Sequence, residues 1–441
     1  MDRKAFMGGE EVQDTIFALS SGSPPAAIAI IRISGAAADP AVEGLCGTLP
    51  PERRASLRSL RDPEDGSLLD EVLVLRFGAE RSITGEPLVE LHCHGGRAVV
   101  AAVLDVLGRR PGLRPAQPGE FTRRALENGR MDLNAVEGLS DLLRAETEAQ
   151  RRAAMAMYGG AFTARVEDFQ KRTLTGAALI EAALDFADED DVGGEETTIS
   201  QARHILTALR EDMATDLAAP PAERLREGIR LVIAGPVNSG KSSLLNRLAG
   251  WEAAIVTDIE GTTRDRIEVP VALGGTAWLL TDTAGFRDAS ADVVERIGMD
   301  RAREAIEAAD VLLWLGEPIE VPRNDAIRIL SRIDREDVAR DCPHDVAISV
   351  KTGEGMDALL ALLTQRAAGL LPQDRSYLLS DRQRTELGAA AEAVHAALEQ
   401  RNPLLMAEHV RDALTAFDRL TGRASTEHML DSLFGGFCIG K

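Results

Sequence analysis

The stretch that most constrains this chain is "RLVIAGPVNSGKSSLLNRL", residues 230–248. It runs from an apolar strand into a glycine loop and on into a helix start. It satisfies G-x-x-x-x-G-K-[ST] with Gly235, Gly240, Lys241 and Ser242. The two glycines let backbone N–H groups wrap around phosphate oxygens, with a helix N-terminus aimed at them. Lys241 is expected to reach the β- and γ-phosphates, and the Ser242 hydroxyl to ligate Mg2+. A chance glycine-rich turn would lack the strand before and the helix after. A chain holding this unit must build a parallel α/β sheet around it.

Further pieces follow in the order a GTPase needs. "TDIEGTTRD" supplies Thr263 as a second Mg2+ ligand, and "WLLTDTAG" ends a strand with Asp282 and Gly285, one to hold Mg2+ through water and one to sense the γ-phosphate. "AISVKTGEG" offers backbone and Ser349 contacts to a base. Where GTPases normally carry Asn-Lys-x-Asp, this chain has "SRID". Asp334 remains to accept from guanine N1–H and the exocyclic amine, and Arg332 can lay its guanidinium over the base. Ser331 is too short for the direct contacts of the asparagine it replaces, so the expectation is guanine preference with weaker discrimination. No glutamine follows "DTAG", where Phe286 stands instead. Arg264 and Arg287 are arginine-finger candidates, although exposed switch arginines are commonly plain surface charges. Asn238 is more telling: its amide oxygen, with carbonyls of the "TDIEGT" loop, can coordinate a monovalent cation in the finger's place, or can simply hydrogen-bond its own loop.

At 441 residues the chain exceeds one core and implies two or three domains. Its 44% hydrophobic content fits globular folding, and no stretch approaches the roughly 20 apolar residues of a membrane span. The start lacks a signal peptide, so a cytoplasmic protein is expected. Four scattered cysteines, Cys46, Cys93, Cys342 and Cys438, argue against structural zinc and a disulfide framework. The formal charge of −21 argues against gripping RNA alone, but not against acting on RNA beside a basic partner. "AAIAIIRISG", "EVLVLRF" and "LVELHCH" read as strands and "GRAVVAAVLDVLGRR" as a helix, giving an α+β domain over residues 1–129. Helical pattern fills 130–226, broken by the acidic run "DFADEDDVGGEE", which suits a solvated helix end and loop better than a cation site. Alternating strands and helices fill 227–373, and helices return over 374–441. The fold expected is multidomain, α+β and α/β, with a P-loop Ras-like G domain inserted into a discontinuous helical domain.

"GPVNSGKSS", "TDIEGTTRD", "DTAGFRDASADVVERIG" and the terminal "CIGK" together resemble the tRNA-modification GTPase family called MnmE or TrmE. "RISG", "LVELHCHGG" and "PGEFTRRALENGRMDLNAVEGLSDLL" resemble its amino-terminal blocks, so the likeness spans essentially the whole chain. The resemblance implies a folate-binding N-terminal domain that also forms the homodimer, and a K+-stimulated GTPase activated when two G domains meet. It implies a flavin-bearing MnmG-like partner carrying FAD, with tRNA in the complex. Together they add a carboxymethylaminomethyl or aminomethyl group to C5 of the wobble uridine, using a 5-formyl or 5,10-methylene tetrahydrofolate one-carbon unit.

By the same resemblance K+ falls to Asn238, Thr257, Ile259 and Thr262, and Mg2+ to Ser242 and Thr263. GTP contacts extend over Asn238, Ser239, Gly240, Lys241, Ser242 and Ser243, then Thr257, Asp258, Ile259, Glu260, Gly261, Thr262 and Thr263. They continue at Asp282, Thr283, Ala284 and Gly285, then at Ser331, Asp334, Ser349, Val350 and Lys351. Glu295, Lys241 and Asn238 are the catalytic set, Glu295 orienting or activating the attacking water. Arg32, Glu90, Arg130 and Lys441 bind the folate, and Cys438 lies near the one-carbon group, as a nucleophile or as a small apolar side chain. His92 and His94 resemble half a metal site, but a pocket-lining strand suits them better. The chain departs from the family at "SSGSPPAA", at Arg130 where a lysine is common, and at "SRID". A second reading is a regulatory GTPase, for instance in ribosome assembly, with an N-terminal interaction module. A third is a folate-dependent transfer enzyme whose G domain has lost guanine selectivity.

Overall fold

The computed structural model describes residues 14–185, 194–219, 222–250, 268–282, 302–316, 320–335, 338, 341–371, 377–424 and 427–440. It divides into two compact units, one of residues 1–136 with 421–441 and one of residues 137–420.

In the first unit, period-2 alternation builds a six-stranded sheet. Its strands are β1 (Thr15–Leu19), β2 (Ile28–Ser34), β3 (Ser56–Arg61), β4 (Leu68–Phe77), β5 (Leu88–His94) and β6 (Leu113–Pro115), in the order β3-β4-β5-β2-β1-β6. All pairs are antiparallel except β1 with β6. Ile31, Ile33, Val72, Val74, Val89 and Leu91 point to one face and form a core with Val42 of α1 (Ala38–Cys46) and Val103 of α2 (Arg97–Gly108). The residues between them, Ile30, Arg32, Leu73, Leu75, Glu90 and His92, therefore share the opposite face. β3, β1 and β6 go beyond the strands read in the sequence; β3, "SLRSLR", is an edge strand whose exposed charges hide its pattern.

The chain's end belongs to this unit. α3 (Glu120–Glu127) packs against the helix Glu427–Gly435, and Pro118 bridges Ile439. Phe434 and Phe437 are buried, their rings 5.9 Å apart. Gly440 sits at φ +95°, and a Cβ there would fall 2.2 Å from the Leu19 carbonyl oxygen. Only glycine permits that conformation and that approach together.

The second unit opens with α4 (Leu133–Arg144, its first residues in the other unit), α5 (Glu148–Tyr158), α6 (Ala161–Asp185) and α7 (Gly194–Leu217). Phe162, Phe169, Ile180, Leu206 and Leu209 share one core with Leu387, Val394, Val410 and Phe417, which come from the helices Asp381–Glu399 and Pro403–Thr421. Helices on both sides of the α/β segment thus form a single core, and that segment is an insertion. It holds β7 (Ile229–Ala234), β8 (Glu268–Leu273), β9 (Thr276–Asp282), β10 (Val311–Trp314), β11 (Ile327–Leu330) and β12 (Val346–Ala347), in the order β12-β11-β10-β7-β9-β8. Only β8 is antiparallel. β7 lies centrally with Leu231 and Ile233 fully buried, and its C-terminal end is where ligands of such sheets collect. No described helix is long and apolar enough to cross a membrane.

Because no side chain fits at Gly440, Gly440→Ala is expected to weaken the seating of the tail by about 1–3 kcal/mol. Amide hydrogen exchange over residues 434–440 should speed roughly tenfold or more; unchanged exchange would show that the tail is held without this close approach.

Candidate functional site

α9 (Lys241–Ala249) begins directly after the glycine loop, with Gly240 as its N-cap at φ +103°. Gly235 has φ +150°, and a Cβ on it would press to 2.9 Å from the Leu315 carbonyl oxygen. Lys241 is 7% exposed and folds back over the loop, its Nζ donating to the Pro236 carbonyl at 2.8 Å. Ser239 N–H donates to that same carbonyl at 3.3 Å, so one backbone oxygen closes the loop. Asn238, exposed at the tip, adopts a left-handed φ of 63°, which asparagine tolerates better than most residues. The Ser239 hydroxyl is buried with no hydrogen-bond partner among the described residues. Ser243 is exposed in the first turn of α9.

Ser242 Oγ donates to Asp282 Oδ2 at 2.6 Å. Asp282 ends β9, and β9 pairs in parallel with β7 so that Asp282 lies opposite Ile233, just before the loop. Two hard oxygen ligands are thus brought together where a divalent cation is needed, which is the donor chemistry Mg2+ takes.

The base-reading residues lie on the neighbouring strand ends. Ser331 follows β11, and its hydroxyl donates to the Ser239 carbonyl at 2.9 Å. Arg332 has φ 61°, and its Nε lies 3.8 Å from the point a Cβ on Gly240 would occupy. Asp334 Oδ1 accepts from Ser349 Oγ at 2.8 Å, and Ser349 Oγ accepts in turn from Thr352 N–H at 3.1 Å. The Ser349 hydrogen bond, aided by the Lys351 and Arg335 charges, holds the Asp334 carboxyl below its usual range despite some desolvation. Val350 is packed against the G-domain core. Thr257, Asp258, Ile259, Glu260, Gly261, Thr262, Thr263, Thr283, Ala284, Gly285, Phe286, Arg264, Arg287, Glu295 and Lys441 lie outside the described residues.

On the sheet face away from α1 and α2, the β2–β5 register sets Arg32 opposite Glu90. Arg32 gives Glu90 Oε1 two hydrogen bonds, from Nη2 at 2.8 Å and Nε at 3.1 Å, and His92 Nε2 lies 3.4 Å from Glu90 Oε2. The Arg32 guanidinium stands 5.7 Å from the Phe121 ring centroid. Phe121 comes two residues after Gly119, whose N–H donates to the Cys438 carbonyl at 3.5 Å. The start of α3 therefore links the Arg32–Glu90 pair to the chain's last residues. Phe121 was not singled out from sequence; its place in the "PGEF" block is the one signal that could have found it. Behind it Arg124, 4% exposed, bonds Glu86, Glu120 and the Asp14 carbonyl and fixes the helix.

Arg130 donates to the Ala79 carbonyl at 2.6 Å. Cys438 is exposed, whereas burial, with help from the Asp70 charge, pushes the Cys93 thiol up to about 12. His94 does not join His92: it is 73% exposed and hydrogen-bonds Asp70, Nδ1 to Oδ1 at 2.7 Å. No cluster of metal-ligating side chains occurs among the described residues. A separate cavity of about 330 Å³ lies between α4, α5 and α8 (Glu223–Arg226). Two of its arginines are committed to ion pairs, Arg226 with Asp141 at 2.7 Å and Arg382 with Glu137 at 2.5 Å.

A loop of this geometry on a central strand, with Ser242 and Asp282 joined beside it and Asp334 held by Ser349, defines a P-loop GTPase. Two family models match the chain, "GTP-binding protein TrmE N-terminus" over residues 15–130 and "MnmE helical domain" over residues 133–438. It is 54% identical over 435 residues to the tRNA modification GTPase MnmE of Rhizorhabdus wittichii, covering 98% of each chain. It is 51% identical to that of Erythrobacter litoralis, covering 97% of this chain and all of the relative, and 48% identical to that of Novosphingobium aromaticivorans, covering 97% and all respectively. The chain belongs to the tRNA modification GTPase MnmE family.

The His94–Asp70 pair has a pH signature. The Asp70 hydrogen bond and charge raise the His94 pKa, while burial opposes ionisation of Asp70 but is outweighed by hydrogen bonds from His94 and the Glu71 N–H, which lower its pKa. The His94 contribution is present below its unfolded pKa of about 6.5 and is lost as pH rises through the folded value. That of Asp70 is present above its unfolded pKa of about 3.9 and is lost as pH falls through the folded value. NMR titration should place His94 above 6.5, with Asp70→Asn returning it towards 6.5; an unmoved value would contradict the assignment.

Proposed function

We propose that the chain binds and hydrolyses GTP in its inserted domain and serves thereby in modification of the tRNA wobble uridine. The observation that carries this is the phosphate loop itself: a buried lysine ammonium resting on a backbone carbonyl, beside a serine and an aspartate placed for a metal. In this reading Lys241 trades the Pro236 carbonyl for the β- and γ-phosphates, and the N–H groups opening α9 bind the remaining oxygens. Ser242 and Thr263 hold Mg2+, with Asp282 through water; the ion neutralises charge that builds on the phosphates. Asn238, with Thr257, Ile259 and Thr262, holds K+, which supplies positive charge where an arginine finger would. Glu295 orients the attacking water.

The Arg32–Glu90 pair and the docked tail are proposed as the folate site. Glu90 accepts from pterin N–H donors, and Arg32, Arg130 and Lys441 meet the cofactor's oxygens and carboxylates. Phe121 gives an aromatic wall beside them. Leu57, Leu73, His92 and Ile30 lie in one row across β3, β4, β5 and β2. Leu57 and Leu73 are 64% and 45% exposed, which suits a homodimer surface on this face. The acidic chain leaves the main RNA contacts to a basic, FAD-bearing partner in the cytoplasm.

Lys241→Ala is expected to lower GTP turnover about 100- to 1,000-fold. Asn238→Ala should abolish the difference between K+ and Na+ buffers. Turnover at the parental rate in the first variant, or full K+ stimulation in the second, would overturn the corresponding assignment. Deleting residues 438–441 should spare GTP hydrolysis while removing folate binding measured by calorimetry. Retained folate affinity would place that cofactor away from the tail.

A further inference from the structure

We propose that Ser331 spends its one hydroxyl proton on the phosphate loop and none on the nucleotide base, so that purine N7 is unread and guanine is chosen by Asp334 alone among the side chains of "SRID". This rests on the GTPase reading above and specifies how its base pocket selects.

A serine hydroxyl has one proton to donate and two lone pairs to accept with. Ser331 Oγ lies 2.9 Å from the Ser239 carbonyl oxygen, and a carbonyl can only accept, so the direction of that hydrogen bond is fixed. No proton is left for a ligand. An asparagine amide carries two N–H donors, so at this position it can hold the Ser239 carbonyl with one and a purine acceptor with the other. The loop geometry agrees with a locking role. Arg332, at φ 61°, turns the chain so that its guanidinium lies against Gly240 at the start of α9, and Ile333 N–H bonds the Ile348 carbonyl at 3.3 Å. The base loop is thus tied to the phosphate loop on one side and to the β12 strand end on the other.

The chemistry of the two purines decides the consequence. N7 is an acceptor in both guanine and adenine, so a donor at residue 331 would tighten both and discriminate neither. Guanine differs on its opposite edge, where N1–H and the amino group are both donors. Asp334, ionised and steered by Ser349, accepts there. Replacing asparagine by serine therefore lowers affinity for purine nucleotides in general and leaves the preference for guanine intact, in place of the weaker discrimination expected from the sequence. Ser331 is a positioning residue: it holds the Ser239 carbonyl, and through it the loop, in the phosphate-binding shape.

The test is equilibrium binding of GDP, 7-deaza-GDP and ADP, with Mg2+, to the full chain and two variants. In the unmodified protein GDP and 7-deaza-GDP should bind within about twofold of each other, ADP far more weakly. One neutral hydrogen bond is worth roughly 2- to 10-fold in affinity. Ser331→Asn should gain that factor for GDP and lose it again with 7-deaza-GDP. Ser331→Ala should weaken GDP and 7-deaza-GDP by the same factor, because the lost contact is to protein and not to N7. A loss well beyond twofold on removing N7 in the unmodified protein would overturn the proposal, as would a Ser331→Ala effect seen with GDP but absent with 7-deaza-GDP. Failure of the GTPase reading looks different: GDP would not bind, or ADP would bind equally well.

Discussion

A lysine ammonium that is almost wholly withdrawn from water must find an acceptor, and in this fold the carbonyl of Pro236, five residues back in the same loop, supplies one at 2.8 Å. That single contact explains the shape around it. Pro236 O also takes the Ser239 N–H, and Ser239 O takes the Ser331 hydroxyl, so loop, helix start and base-reading segment are joined by three hydrogen bonds. Isolated buried ammonium groups are costly. The arrangement is stable without ligand, yet an anionic ligand improves it, because phosphate offers charge where the carbonyl offers only a dipole.

The same logic of close approach recurs at the other end of the molecule's chemistry. Gly440 passes so near Leu19 that no side chain fits, and Gly119 is tight against Phe434, where a Cβ would lie 2.8 Å from the carbonyl oxygen. The final residues are thereby laid along the start of α3, whose Phe121 faces Arg32. A network of Arg114, Glu120, Arg124 and Glu86, in which Glu120 and Arg124 are buried, holds α3 from behind. Ions so placed contribute little net stability, but breaking one partner leaves an unpaired buried charge, and this rigidifies the helix on which the tail rests.

How much of this could be read from the sequence depended on how local each feature is. The phosphate loop was fully legible, because its glycines, lysine and serine are contiguous and their spacing is itself the mechanism. The strands of residues 28–34, 68–77 and 88–94 were legible from apolar alternation, whereas "SLRSLR" and the three-residue "LRP" were not, because an edge strand needs no apolar stripe. Arg32 and Glu90 are 58 residues apart, and only the β2–β5 register sets them opposite each other. His94 turning to Asp70 instead of pairing with His92 is set by a neighbour on another strand, because alternation alone leaves the two histidines on one face. Ser331 reads as too short to replace asparagine, and the fold brings the Ser239 carbonyl to it instead.

The most direct test of the phosphate-loop assignment is a crystal structure of the chain with GDP and Mg2+. The expected result is Lys241 Nζ released from Pro236 and within about 3 Å of a β-phosphate oxygen, with Ser242 Oγ turned from Asp282 to the metal. A nucleotide bound elsewhere, with Lys241 still 2.8 Å from the Pro236 carbonyl, would contradict it.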